Sequence, residues 1–281
     1  FNNRKSEDLN MIKLSPKKEF RLPIVAECIN PEIFEEKSIN EIAKLEVWEG
    51  NKRKVLGDLF KIEKVEEETG EPTIQIIGDI RRVRKIGANM SRGEIIIKGN
   101  AGMYLGEEMK GGKITVYGDA DSWLGSMMRG GTIEVMGDAG DYVGATYRGR
   151  ARGMNGGLII IHGNAGNEVG CYMRKGLIKI YGNVGQFAGI HMKGGTIFIQ
   201  GDSAGRAGAE MVKGKIVICG HIPSVLPSFT IDRISPRVKV NGENLEGPFY
   251  TFIGDLTENG DGKLHISKVK NPHLKVYEEY L

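Results

Sequence analysis

The chain has 281 residues, of which 40% are hydrophobic and 27% are charged, and its formal net charge at pH 7 is +3. This balance is that of an ordinary globular protein, and so small an excess of positive charge gives no argument for nucleic-acid binding. No apolar run approaches the roughly eighteen residues of a membrane-spanning helix, and the polar N-terminus has no signal-peptide pattern, so we expect a cytoplasmic protein.

Residues 1–72 are predicted to form an N-terminal arm and cap. We expect residues 1 to about 10 to be a disordered or artefactual lead, with Met11 as the native start. Short extended pieces separated by prolines follow. Ser38 and Glu41 then have the spacing of a capping box, which predicts a short helix.

Three further segments before the repeats have recognisable patterns. Residues 45–51 and 54–60 predict the two strands of a β-hairpin, and the acidic stretch 63–72 predicts a solvated loop. Residues 73–79 end like the later repeats and predict a degenerate first coil. The hairpin would then be the cap that the end of a repeat protein requires.

One thirteen-residue pattern, G-x-x-M-x-x-G-x-I-x-I-x-G, recurs seven times between Gly87 and Gly220. With a six-residue connector it has a period of nineteen, broken by one step of twenty-six between Met128 and Met154. The repeated positions are Gly87, Gly99, Gly106, Gly118, Gly125, Gly137, Gly163, Gly170, Gly182, Gly189, Gly201, Gly208 and Gly220, with Met90, Met109, Met128, Met154, Met173, Met192 and Met211.

The repeat predicts stacked strands. Two alternating β-branched positions precede each closing glycine, as at Ile95 and Ile97, which is the pattern of a half-buried strand. One short strand cannot bury its apolar face alone, whereas stacked copies form continuous Ile and Val columns. We therefore predict an all-β-dominated fold in which residues 73–220 form a parallel β-helix, a solenoid of about seven coils.

The conspicuous small, polar and sulfur-containing residues of the repeat are predicted to be structural. Glycine tolerates the positive φ that the corners of a tight coil need. The Asn or Asp that follows six of the seven closing glycines favours a turn, as at Asn100 and Asp119. The repeated methionine is expected to fill an internal column, where its flexible side chain adapts to gaps, instead of binding a metal.

The step of twenty-six contains a seven-residue insertion between Gly144 and Met154, and the unit around it has Ala151 in the first slot. Insertions in solenoids project from one face and often make contacts. This one suits a partner's carboxylates, a phosphate or an interface hot spot. The alternative is a solvated variable loop. The candidate partner-interface residues are Tyr147, Arg148, Arg150 and Arg152.

Residues 221–281 are predicted to be a C-terminal strap and β extension. A proline-containing strap covers 221–229, and two strands are expected at 249–255 and 263–267. The polar turn between these strands lacks a calcium-loop pattern, because Ile266 stands where the bidentate glutamate belongs.

No catalytic, cofactor-binding or metal-binding residue is predicted in this chain. The cysteines, Cys28, Cys171 and Cys219, are odd in number and form no C-x-x-C pair. The five histidines share no ligand spacing. The glycine spacing is neither that of a phosphate-binding loop nor that of a dinucleotide fingerprint, and no nucleophile elbow occurs.

The repeated units, the phrase GDAGDYVG at 137–144 and the strap ending LPSF at 226–229 resemble the C subunit of formylmethanofuran dehydrogenase. The same glycine-rich repeat is found in the C-terminal domain of the large subunit of glutamate synthase, which is a right-handed β-helix. The resemblance runs from about Met11 onward and implies that the solenoid is right-handed.

The resemblance also implies a function. The chain would be a structural, non-catalytic member of an archaeal, ferredoxin-linked oxidoreductase complex. That complex would reduce CO2 and attach the formyl group to methanofuran, the first step of methanogenesis. The B subunit would hold a tungsten or molybdenum pterin and iron–sulfur clusters, and the amidohydrolase-like A subunit would hold a metal pair, with no cofactor in this chain. The expected partners are these A and B subunits, with no nucleic acid and no membrane insertion.

Three other interpretations stay open. A similar subunit serves a non-redox formyltransferase/hydrolase complex in methylotrophs, and a glutamate-synthase-like β-helix domain is the second possibility. The third is a stand-alone enzyme or sugar-binding β-helix, such as a polysaccharide lyase. Three observations count against that third interpretation, namely the cytoplasmic composition, the presence of only two tryptophans and the lack of a carboxylate cluster.

Overall fold

Most of the chain is β-structure, arranged in two sheets. The computed structural model describes the backbone of residues 9–281 and the side chains of residues 11–66 and 70–281. In this part of the chain the α-helices are short, of four or five residues each. The strands form one thirteen-stranded mixed sheet and one four-stranded sheet.

The strands are β1 Leu9–Pro16, β2 Ile24–Val25, β3 Glu46–Glu49, β4 Lys52–Val55, β5 Phe60–Thr69, β6 Thr73–Ile77, β7 Val83–Arg84, β8 Glu94–Lys98, β9 Lys113–Val116, β10 Thr132–Val135, β11 Asn155–Ile161, β12 Lys175–Ile180, β13 Lys193–Ile199, β14 Lys213–Ile218, β15 Thr230–Val240, β16 Glu243–Gly254 and β17 Gly262–Ser267. The α-helices are α1 Pro31–Phe34, α2 Ile39–Ala43 and α3 Leu56–Leu59, and two 3-10 helices lie at Leu256–Glu258 and Pro272–Tyr280. The larger sheet has the order β15-β16-β17-β14-β13-β12-β11-β10-β9-β8-β6-β1-β5, and the smaller has the order β4-β3-β2-β7.

Parallel strands from consecutive repeat units form the centre of the larger sheet. β8 to β14 lie side by side in chain order, and identical positions pair, so that Ile114 stands opposite Ile95 on one side and Ile133 on the other. Nineteen residues return the chain to the same place in every step but one, and the pairing stays in register across the longer step as well, where Ile133 stands opposite Ile159. A second line of parallel bridges joins Ile80, Ala101, Ala120, Ala139, Ala165, Val184 and Ser203.

The inward positions of these strands form a continuous core. Both β-branched positions in every strand from β8 to β14, and all seven repeat methionines, have no exposed surface. Burying one such aliphatic side chain contributes roughly 1.5–3 kcal/mol. Each unit therefore obtains from its neighbours the apolar surface that it lacks alone.

The Asn or Asp that follows six of the seven closing glycines links its unit to the next. Its side-chain oxygen accepts a hydrogen bond from the backbone N–H of the equivalent residue one unit later. The six bonds measure 2.6–2.9 Å, and their acceptors are Asn100, Asp119, Asp138, Asn164, Asn183 and Asp202. These side chains thus extend the ladder past the end of each strand and satisfy N–H groups at the turn.

The N-terminal end of the larger sheet differs from the prediction. β1 pairs parallel with β6 and antiparallel with β5. The sheet is therefore continued beyond β6 by β1 and β5, and not by the predicted hairpin. The predicted loop at 63–72 is wrong over most of its length, because β5 reaches Thr69. A high density of charge is characteristic of an exposed edge strand as well as of a loop.

The predicted hairpin exists as β3 and β4, but it belongs to the smaller sheet. Its returning strand ends at Val55, and α3 replaces the strand predicted beyond that residue. The capping box at Ser38 and Glu41 is confirmed at the start of α2. Residues 1–8 of the expected disordered lead lie outside the described residues, whereas Leu9 and Asn10 belong to β1, which contradicts that expectation for these two.

The C-terminal segment continues the same ladder. β17 pairs parallel with β14, and Leu264 and Ile266 extend the inner columns. β17 and the second half of β16 agree with the two predicted strands, whereas β15, the first half of β16 and the last 3-10 helix were not predicted. Strands from residues 1–72, 73–220 and 221–281 share the larger sheet. The division of the chain into these three domains stays a prediction.

The β15–β16 hairpin also covers part of the outer face of the repeats. Its side chains Val238, Val240 and Phe249 form a second apolar cluster with three outward-facing residues of β12, β13 and β14, which are Leu177, Phe198 and Val217. The hairpin therefore buries the large apolar residues that lie side by side on the outer face of β12, β13 and β14.

One repeated glycine slot is closed to any side chain. Gly125 has a φ of +61°, and a Cβ added there would lie 2.6 Å from the Cδ1 atom of Ile159 in the adjacent column. We expect Gly125→Ala to lower the free energy of unfolding by about 2–4 kcal/mol, from both the left-handed backbone and the clash. Denaturant unfolding measures this loss.

Gly149→Ala is the matched control for that experiment. Gly149 has a φ of +84°, but a Cβ there meets nothing within 4 Å. Only the backbone cost of about 1–2 kcal/mol should remain. Equal losses in the two variants would contradict a role for close packing at Gly125.

A buried histidine makes the C-terminal sheet sensitive to acid. His265 is 5% exposed, and its Nδ1 atom lies 3.0 Å from the Thr251 hydroxyl oxygen. Burial, assisted by the positive charges of Lys215, Lys263 and Arg233, lowers the pKa of His265 from 6.5 to about 4. The folded protein therefore keeps this imidazole neutral at a pH where the unfolded chain protonates it.

We expect His265→Gln to make the free energy of unfolding less dependent on pH below about 6.5. Because the unfolded state binds the proton first, the folded state loses up to about 3 kcal/mol as the pH falls from about 6.5 to about 4. Glutamine has no group that binds a proton in this pH range, so the variant should lose this contribution. Urea unfolding at pH 7.5 and at pH 4.5 measures the difference, and His221→Gln, on the surface, is the control. An unchanged pH dependence in His265→Gln would refute the assignment.

Candidate functional site

The insertion projects from the stack as residues 146–152, called the arginine loop below. Pairing between units continues on both sides of it, because the carbonyl of Ala145 accepts from the N–H of Met127 and the N–H of Gly153 donates to the carbonyl of Tyr172. The seven extra residues therefore leave the ladder and return to it without changing its register.

Gly144 occupies the first slot of the interrupted unit. Its φ is +66° and its N–H donates to the carbonyl of Leu124, as the N–H of Gly125 does to Leu105. The interpretation that Ala151 fills this slot is therefore wrong. Counting back from Met154 gives Ala151, but the insertion lies between the glycine and the methionine of the same unit.

Tyr147 anchors the arginine loop to the stack. Its hydroxyl donates a hydrogen bond to Glu107, a carboxylate that is only 8% exposed. The Nζ atom of Lys85 lies 3.4 Å from the other oxygen of Glu107 and 2.7 Å from a carboxylate oxygen of Glu27. Burial, together with the nearby Glu107, raises the pKa of Tyr147, so the hydroxyl keeps its proton and stays a donor.

The three arginines of the loop have different environments. Arg150 turns back toward the stack, with Nη1 3.7 Å from a carboxylate oxygen of Glu108. Arg148 and Arg152 are exposed and form no ion pair within the described part of the chain. The structure thus brings Tyr147 and Arg150 into contact with the repeats and leaves Arg148 and Arg152 without an ion-pair partner among the described residues.

A column of aromatic rings runs along the stack beside the loop. Tyr104, Trp123 and Tyr142 occupy equivalent positions in three successive units, and the rings of Trp123 and Tyr142 stack 4.4 Å apart. All three have φ between +60° and +65°, a conformation that is uncommon for residues other than glycine. These three residues were not predicted, although aromatic residues recur in the sequence at this spacing of nineteen.

One groove lies between this column and the arginine loop and is called the aromatic groove below. Its volume is about 390 Å³, and its walls include Trp123, Tyr142, Tyr172 and His191. The rings of Tyr172 and His191 are stacked 4.4 Å apart. The Nε1 atom of Trp123 and the Oγ1 atom of Thr146, both from lining residues, are buried with no hydrogen-bond partner among the described residues.

A second groove lies on the other side of the loop and is called the arginine groove below. It has a volume of about 500 Å³ and is lined by one carboxylate and four guanidinium groups, those of Glu108, Arg129, Arg150, Arg152 and Arg174. Glu108 is already engaged by two of these cations, at 2.6 Å from Arg129 and 3.7 Å from Arg150. The groove therefore carries a net positive charge.

The described residues present no site for a metal or a reactive thiol. No three His, Cys, Asp or Glu side chains in this part of the chain come together in a group that could hold a metal ion. Burial raises the pKa of Cys28 and Cys219 to about 11 and that of Cys171 to about 12, so these thiols stay protonated near neutral pH. Within the described range, no helix is both long and apolar enough to span a membrane.

Sequence comparison relates part of the chain to named proteins. No family model matches the sequence. A stretch of 93 residues, 33% of the chain, is 47% identical to the C subunit of the molybdenum-containing formylmethanofuran dehydrogenase 1 of Methanothermobacter marburgensis and covers 23% of that protein. A stretch of 105 residues, 35% of the chain, is 44% identical to the C subunit of the tungsten-containing formylmethanofuran dehydrogenase 2 of Methanothermobacter thermautotrophicus and covers 37% of it. The match thus spans between about a quarter and just over a third of these curated relatives.

Structural comparison covers nearly the whole chain. The protein is similar to a chain in the crystal structure of the formyltransferase/hydrolase complex from Methylorubrum extorquens in complex with methylofuran. The TM-score is 0.80 and the sequence identity is 28%. The similarity covers 91% of this chain and 99% of that chain. The fold therefore occurs in a multi-subunit complex.

The anchoring role of Tyr147 can be tested by proteolysis. Tyr147→Phe removes the hydrogen bond to Glu107, and a bond to a charged acceptor contributes about 1.5–3 kcal/mol. We expect trypsin to cleave after the loop arginines about tenfold faster or more, with little change in the thermal midpoint. Tyr142→Phe, whose hydroxyl makes no hydrogen bond with the described residues, is the control. Equal cleavage of the two variants would contradict the anchor.

Proposed function

We propose that the chain is the structural, non-catalytic C subunit of a formylmethanofuran dehydrogenase complex. The observation that carries this proposal is the identity of 44–47% over 93 to 105 residues with chains named as that subunit. The whole-chain similarity to a member of another multi-subunit complex also supports it. In this role the chain holds catalytic subunits in fixed positions, within a complex that reduces CO2 and forms formylmethanofuran.

We infer that the stacked parallel strands form a right-handed parallel β-helix. In support, identical positions pair across β8 to β14, and two further lines of backbone contacts join the same units. One is the column of bridges from Ile80 to Ser203, and the other runs through N–H groups such as that of Gly125. A chain paired along three lines has little freedom to bend, which suits a scaffold.

The chemistry of such a complex would be the work of its other members. A tungsten or molybdenum pterin, iron–sulfur clusters and a metal pair would lie in the A and B subunits, as the resemblance to formylmethanofuran dehydrogenase implies. This chain contributes docking surfaces, of which the arginine loop and the two grooves beside it are the best defined.

A second candidate is the corresponding subunit of a non-redox formyltransferase/hydrolase complex. The TM-score of 0.80 over nearly the full length of a chain from that complex favours it. Purification of the native assembly through a tag on this chain separates the two. Tungsten or molybdenum should copurify with the dehydrogenase and be absent from the hydrolase complex. Recovery of the chain without catalytic subunits would contradict both.

The double substitution Arg148→Ala with Arg152→Ala tests the loop as a docking surface. Both side chains are exposed, so their loss should leave the thermal midpoint of the isolated chain unchanged within about 2 °C. Assembly should weaken by about tenfold or more, because arginines at interfaces are often hot spots. Size-exclusion chromatography of the complex at increasing dilution measures this. Unaltered assembly would refute the docking role.

A further inference from the structure

We propose that the arginine groove binds a carboxylate side chain from an acidic segment of a partner subunit. This inference rests on the proposed function, because it names the chemistry by which one partner of the scaffold is recognised. The groove and two of its four arginines, Arg129 and Arg174, lie outside the set of residues that the sequence indicated.

Charge is the first argument. Four guanidinium groups line the groove against a single carboxylate, that of Glu108. Both oxygens of Glu108 already have cationic partners, Arg129 at 2.6 Å and Arg150 at 3.7 Å. Arg152 and Arg174 form no ion pair with any described residue, so two unpaired cations face a groove large enough for a side chain. A carboxylate would balance the charge that remains.

Arg174 supplies a second and independent argument. Its Nη2 atom donates to the backbone carbonyl of Ala151 at 3.2 Å, which fixes the side chain against the arginine loop. Its Nε atom is buried and has no hydrogen-bond partner within the described chain. A buried donor without a partner is costly, and an arginine N–H is satisfied best by a carboxylate oxygen. A carboxylate bound in the groove would supply the missing acceptor once the Arg174 side chain turns toward it.

The surroundings favour a protein segment over a small anion. The arginine loop separates this groove from the aromatic groove, and Arg150 and Ala151 line both. Trp123 and Thr146 in the second groove also carry buried polar atoms without partners. A peptide crossing the loop could meet both needs, with a carboxylate in the arginine groove and a neighbouring hydrogen-bonding residue in the aromatic groove. A free anion could satisfy only the first.

Cross-linking of the assembled complex tests the proposal directly. Arg152→Lys introduces a primary amine at the groove, and a zero-length carbodiimide couples an amine to a carboxylate in contact with it. We expect mass spectrometry to find that amine joined to an aspartate or glutamate of a copurified subunit. Arg206→Lys is the control, since Arg206 lies over the ring of Phe187, 5.2 Å from its centre, and lines neither groove.

Substitutions at Arg174 test the role of its Nε–H. We expect Arg174→Gln to weaken assembly about tenfold, and Arg174→Lys nearly as much, because lysine keeps the charge but loses the guanidinium fork. Arg206→Gln should assemble normally. Full assembly by Arg174→Gln, or an Arg152→Lys amine that couples to no partner carboxylate, would overturn the inference while leaving the proposed scaffold intact. Failure to recover any complex would remove the proposed function and this inference together.

A titration with inorganic phosphate distinguishes a site for a partner's carboxylate from a site for a free anion. If the isolated chain binds phosphate at this groove and Arg174→Gln abolishes that binding, while the complex gives no cross-link at residue 152, the site is one for a free anion. That result would also overturn the proposal. Weak or absent phosphate binding together with the cross-link supports it.

Discussion

The pairing of each repeat position with its own copy in the next unit is the constraint on which the rest of the molecule depends. Ile159, for example, lies between Ile133 and Ile178 in a column from which water is excluded. Because side chains alternate across a strand, a slip of one residue would turn every such column outward. The period is therefore fixed at nineteen, and any extra residues must leave and re-enter the stack at nearly one point.

The parts of the fold that repeat could be predicted from the sequence, because the periodicity itself specifies which positions meet. The parts that occur once could not. β5 was taken for a loop because its acidic composition is compatible with either state, and only its pairing with β1 decides between them. β15 was missed because charged residues and a proline interrupt it. Its apolar partners, Phe198 and Val217, lie in other units and give no local signal.

In the candidate site, too, some residues could be predicted from the sequence and others could not. The arginine loop was visible as an interruption of the period, and its four residues were named from sequence. Arg129 and Arg174 were not, because each lies in an ordinary repeat unit and reaches the groove only through the stacking of neighbours. The aromatic column was missed for a different reason. Corners were assigned to glycine, whereas Tyr104 and Trp123 adopt the left-handed conformation themselves, and ring stacking with the next unit offsets a cost of about 1–2 kcal/mol per residue.

The way the arginine loop joins the stack has a consequence for engineering. The N–H of Met154 donates to the carbonyl of Gly144 at 2.8 Å, so the ends of the inserted segment lie next to each other. The entropy of closing a loop grows slowly with its length. A foreign peptide in place of residues 146–152 would therefore be displayed on the stack with both its ends held by Ala145 and Gly153, and its length could be varied while the columns beneath it stayed aligned.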